Sequence, residues 1–187
     1  LEIRGAGNVL GAEQQGHMDK VGYELYSKML KEELSGESAA TVELDIKATA
    51  YIPENYIESP AGRMDCYKQI AEIRTVDDYK RVCLSIEENY GNMPDEVLNL
   101  LIIAVMKAYA SRFSVGKIGV SHKEAYLEFT SLTALGDKRL SAAMDEYARR
   151  IHVSMTGSPR INFEPRANPA KTMLEMTKFL KFAASFT

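Results

Sequence analysis

The spacing of apolar residues changes repeatedly along the chain, and each change marks an element. Residues 21–34 follow a helical period, with Val21, Leu25, Met29 and Leu30 on one face and Glu24, Lys28 and Lys31 away from it. Ser35-Gly36-Glu37-Ser38 reads as a linker. The period then drops to two. Val42, Leu44, Ile46, Ala48 and Ala50 alternate with Glu43, Asp45, Lys47 and Thr49, which predicts a strand with one buried face, ended by Pro53.

Helical spacing returns with Met64, Tyr67, Ile70 and Ala71, and again with Tyr79, Val82, Cys83, Ile86 and Tyr90. Thr75 and Asp78 resemble a capping box at the start of the second of these helices, and Gly91 is placed for a left-handed stop at its end. The next helix, predicted over 94–113, opens on Pro94, Asp95 and Glu96 and is apolar on most sides, so it belongs at the centre of the fold. Two hairpins are predicted, 117–120 with 125–130 and 151–155 with 160–163, separated by a helix over 137–150. Asn168 and Pro169 start a last helix. The fold class is therefore α+β: a helical middle packed with short antiparallel strands.

Composition narrows the chemistry. With 45% hydrophobic and 26% charged residues, the 187-residue chain can build a core without disulfides or metals. Its net charge of -3 gives no overall case for binding phosphate backbones, though local contacts stay open. Cys66 and Cys83 lack ligand spacing, and unpaired thiols fit a reducing cytoplasm. The longest apolar run, 97–109, is too short to cross a bilayer. Leu1-Glu2-Ile3-Arg4 reads as the middle of a longer chain, so a fragment is expected.

No reaction centre assembles from this sequence. Gly5, Gly7 and Gly11 miss the dinucleotide spacing by one place, no apolar strand precedes them, and no Gly-Lys-Ser or Gly-Lys-Thr is present. His17, His122 and His152 stand apart from any partner at ligand or triad offset. The carboxylate pairs Asp77–Asp78 and Glu87–Glu88 sit on an amphipathic helix, where a solvated face is the simpler reading than acid–base work. Together with Arg63, Lys68 and Arg74 they put both signs of charge beside apolar stripes, which suits a modest, polar contact with another domain.

Residues 1–16, LEIRGAGNVLGAEQQG, closely resemble the translocation motif shared by transcription-repair coupling factors and RecG translocases. The matching positions are Arg4, Gly5, Gly7, Leu10, Gly11, Gln14 and Gly16, and Gln15 stands where that family usually has Ser. The long extension beyond the motif, with Tyr51-Ile52-Pro53-Glu54, Tyr56-Ile57, Arg63, Tyr67-Lys68, Ile70-Ala71, Tyr90-Gly91 and Met93-Pro94, resembles the C-terminal module of the coupling factors rather than RecG, which ends soon after the motif. A RecG-like remodeller of branched DNA and an unrelated adaptor domain are the alternatives.

The resemblance implies that residues 1–36 are the tail of the second motor lobe, carrying the translocation motif as a helical hairpin. Residues 37–187 would then be a C-terminal α+β regulatory domain. It implies no catalytic residue, cofactor or metal in this piece, with ATP and Mg belonging to a parent DNA translocase in the bacterial cytoplasm. In the family the parent displaces stalled RNA polymerase and recruits UvrA through an N-terminal UvrB-like module, whose UvrA-binding surface the C-terminal module hides at rest. Arg4 and Gln14 would couple ATP-driven closure to movement on DNA. On the residues alone, a helix-capping Arg4 and a solvated Gln14 are equally compatible.

Overall fold

The structure, a computed structural model, describes residues 42–186. The translocation motif, the 21–34 helix, His17 and the 35–38 linker lie outside the described residues. The described elements run β1 (Glu43–Ile46), α1 (Pro60–Ala71), α2 (Val76–Tyr90), α3 (Asp95–Ala110), a 3-10 turn (Ser111–Phe113), β2 (Val115–Val120), β3 (Ala125–Phe129), α4 (Leu132–Leu135), α5 (Lys138–Glu146), β4 (Ile151–Ser154), β5 (Arg160–Phe163) and α6 (Pro169–Ala183).

The class is α+β, and the two expected hairpins, β2 with β3 and β4 with β5, lie within one mixed sheet in the order β1-β2-β3-β5-β4. β1 joins β2 in parallel, and every other pairing is antiparallel. A parallel partner more than seventy positions away leaves no local signature, because only a long crossover can supply it. Along one row of the sheet, Glu43, Lys117, Glu128 and Arg160 face each other in register with alternating sign. Lys117 Nζ lies 2.7 Å from Glu43 Oε1 and Arg160 Nη2 lies 2.6 Å from Glu128 Oε2. A slip by one residue would break this row and turn Leu44, Ile118, Leu127 and Ile161 out of the core.

α3 is the centre. Residues 100–106 are all buried, which requires cover on every side. It packs against α1, α2 and α6, and α6 in turn lies on β2. Pro94 is the N-cap of α3 rather than its first residue; its carbonyl accepts from Val97 N at 3.0 Å and Leu98 N at 3.1 Å. Expected caps appear at Thr75 and Asn168, whose side chains accept from Asp78 N and Ala170 N.

Several expectations need correction, among them the strand over 42–50, which ends at Ile46, and the helix over 94–113, which ends at Ala110. Met64 is 40% exposed, and Cys66 takes the core place beside Ile70. α5 stops at Glu146, not at residue 150, because the chain must turn through Arg150 N to Tyr147 O (2.7 Å) to enter β4. Gly91 does have a positive φ of 80°, but its ψ of -160° puts it in the extended region that only glycine adopts readily, outside the left-handed helical one.

Candidate partner-facing surface

The seven charged residues singled out from the sequence fall on α1, α2 and the turn between them, and the structure divides them by what they hold. Arg63 faces inward. Its guanidinium donates to the carbonyls of Ile57 (2.9 Å) and Glu58 (3.1 Å) and pairs with Glu54 at 3.1 Å. Tyr67 Oη accepts from Ile52 N at 3.0 Å, and Tyr56 Oη donates to Gly91 O at 2.8 Å. The Tyr51–Ile57 segment is thereby bracketed to the start of α1 and the end of α2, so these residues carry architecture.

Arg74 closes the α1–α2 turn. Its Nη1 donates to Ala71 O (2.7 Å) and Ile73 O (3.0 Å), and its own carbonyl accepts from Arg112 at 2.8 Å. Asp78 completes a reciprocal capping box: Oδ2 accepts from Thr75 N (3.0 Å), Thr75 Oγ1 (2.8 Å) and Arg74 N (3.2 Å), while Arg81 sits 2.6 Å from Oδ1. The Thr75 hydroxyl, then the Arg74 amide, then Arg81 hold the carboxyl below its ordinary range. Arg63, Arg74 and Asp78 are thus occupied within the fold.

What remains outward is a face of α2. The Asp77 side chain is 93% exposed against 22% for Asp78, and its 3.6 Å approach to Lys80 is a solvent-screened pair of little energetic weight. Glu87 and Glu88 are exposed, as is Lys68 on α1. Asp77, Arg81, Leu84 and Glu88 follow helical spacing on the side opposite the buried Val82 and Ile86. Leu84, off the apolar stripe and so without a periodic signal in the sequence, is 59% exposed at the middle of this charged face. An apolar centre with a charged rim is the arrangement that contact surfaces use.

Burial raises both thiols, Cys66 fully inside and Cys83 half-buried with Tyr79 beside it, so neither is an activated nucleophile. His122 is exposed in the β2–β3 turn and His152 is exposed on β4. Among the described residues no group of His, Cys, Asp or Glu could hold a metal ion, and no helix is long and apolar enough to cross a membrane.

The comparisons fit this fold. A family model described as the TRCF domain matches residues 46–140. The chain belongs to the transcription-repair coupling factor family. The coupling factor of Bacillus subtilis is 34% identical over 195 aligned positions, covering 97% of this chain and 17% of the relative. That of Escherichia coli is 25% identical over 189, covering 95% and 16%. The chain therefore spans about a sixth of the length of these relatives. A crystal structure of the C-terminal domain of a transcription-repair coupling factor superposes with a TM-score of 0.65 at 18% identity, covering 82% of this chain and all of that one, which is a likeness of fold. The family match sets aside the unrelated adaptor, and its position on the extension favours coupling factors over RecG.

Proposed function

We propose that residues 37–187 form the regulatory latch of a DNA translocase that displaces stalled RNA polymerase and recruits excision repair through UvrA. The single observation that carries this reading is the outward face of α2, where Asp77, Arg81 and Glu88 share a side with an exposed Leu84, on a domain without a metal-holding cluster among its described residues. At rest this face docks on the basic surface of the N-terminal UvrB-like module of the same protein and covers its UvrA-binding surface. ATP and Mg act in the motor of the parent. Residues 1–36 close that motor, with Arg4 and Gln14 as polar contacts at either end of a hinge that Gly5, Gly7, Gly11 and Gly16 allow to turn.

A latch has to hold at rest and yield when polymerase binds, and coupling energies of about 1–3 kcal/mol are usual for such switches. A small surface with one apolar anchor fits that range better than a wide apolar one. The direct test is a titration of this chain onto the isolated UvrB-like module. Saturable binding that weakens with salt and disappears in Asp77→Lys/Leu84→Asp/Glu88→Lys is expected; no binding, or binding untouched by that variant, sinks the proposal.

A further inference from the structure

The whole-chain charge of -3 conceals a segregation. Residues 42–110 hold twelve carboxylates against seven Lys and Arg, whereas residues 111–187 hold twelve Lys and Arg against seven carboxylates. In space α3 is packed by α1 and α2 from the acidic part and by α6 from the basic part. The outward side of α6 carries Lys171, Lys178 and Lys181, opposite the buried Met173, Met176, Phe179 and Leu180. The turn that follows α5 adds Arg149 and Arg150. Tyr147 ties it to α6 through Phe179 (centroids 5.4 Å) and Phe182 (6.0 Å), and the Arg150 guanidinium lies 5.6 Å from the Tyr147 ring centroid. Arg166 joins at the other end of the helix through Glu175, at 3.1 Å.

Lys171, Lys178, Lys181 and Arg149 have no carboxylate within ion-pair distance among the described residues. The helix dipole accounts for Lys181, which lies in the last turn, but not for Lys171 in the first, where a cation is disfavoured. The composition also separates two kinds of partner. Protein contact centres are depleted in Lys and enriched in aromatic residues and Met, whereas surfaces that meet nucleic acid are rich in exposed Lys and Arg. Here Leu174 is the one largely apolar exposed side chain on α6, at 40%.

We propose that the face built from α6 and the turn after α5 is a sequence-independent docking site for the phosphate backbone of duplex DNA, on elements separate from the acidic face of α2. Engaging about four phosphates gives a log affinity against log salt slope of about -3.6, so affinity falls about 10²-fold between about 50 and about 200 mM salt. No base is read, because flexible lysines on a convex helix supply charge without a fixed fork.

The experiment is fluorescence anisotropy of a short labelled duplex with the 187-residue chain across that salt range. The expected results are a slope near the stated value and, in Lys171→Glu/Lys178→Glu/Lys181→Glu, a slope flattened by about 3 with at least about tenfold weaker binding at low salt. Asp77→Lys/Glu88→Lys keeps that lysine dependence. Three results overturn the proposal. The parental chain shows no salt-dependent binding; the triple variant, its helix content unchanged, binds like the parent, which would place the contact in residues 1–41; or polyglutamate displaces the protein as readily as unlabelled DNA does, which would identify an acidic polypeptide as the partner. The parental salt slope stands as a measurement even if the triple variant does not fold.

Discussion

Gly119→Ala is a one-carbon change with a large expected cost. Gly119 lies opposite Tyr126 in the β2–β3 ladder, and an added Cβ would fall 2.2 Å from one ring carbon of Tyr126 and 2.3 Å from another. The ring has little room to retreat. Tyr126 is only 5% exposed, and Arg160, fastened to Glu128 at 2.6 Å, lies over its other face at 4.3 Å. Swinging the ring out forfeits most of its burial and the cation–π contact, together about 2–3 kcal/mol. The reduced freedom of the unfolded chain returns about 0.4–1 kcal/mol. The net loss is about 2 kcal/mol, a fall in Tm of about 4–8 °C for a domain of this size. Urea and thermal unfolding followed by circular dichroism measure it. In a Tyr126→Ala background the same substitution should cost almost nothing, giving a coupling of about 2 kcal/mol. A cost below about 0.5 kcal/mol in the parent, or simple additivity of the two substitutions, would refute the close packing argued from Gly119.

Thr75→Ala removes the acceptor for Asp78 N and should cost about 1 kcal/mol in urea unfolding near neutral pH. The sign with pH follows from the lowered Asp78 carboxyl: its stabilisation is complete above the unfolded value of about 3.9 and fades as pH falls through the folded one, so parent and Asp78→Asn should converge in acid. Burial first, then Cys83, pushes Tyr79 up to about 12. Its contribution is therefore complete below the ordinary tyrosine value of about 10 and is lost as pH climbs through the folded value, so a tyrosinate absorbance titration should show a late step that coincides with unfolding.

Much of this fold was readable because its signals are local. The capping box at Thr75, the Asn168–Pro169 start and the apolar run through α3 each declare themselves within a few residues. The parallel pairing of β1 with β2 did not, since a period of two says that Leu44 is buried but not on what. Tyr126 deceives for a related reason. It occupies the polar face of its strand, and it is buried only because a glycine on the neighbouring strand leaves a slot for the ring. The candidate charges were legible by type and by helix, but not by what each side chain holds. Arg63, Arg74 and Asp78 read in sequence as members of an outward charged surface, yet hydrogen bonds to nearby backbone hold all three within the fold. Leu84 went unnoticed because one apolar residue off the stripe carries no periodic signal.

The latch is tested most directly by UvrA binding to the full-length parent without polymerase. Asp77→Lys/Leu84→Asp/Glu88→Lys should raise UvrA affinity by about 5–150-fold, the range set by a coupling of about 1–3 kcal/mol, while the melting of the domain stays unchanged. Removal of residues 42–187 should raise it at least as far. UvrA binding that neither change improves would contradict the account.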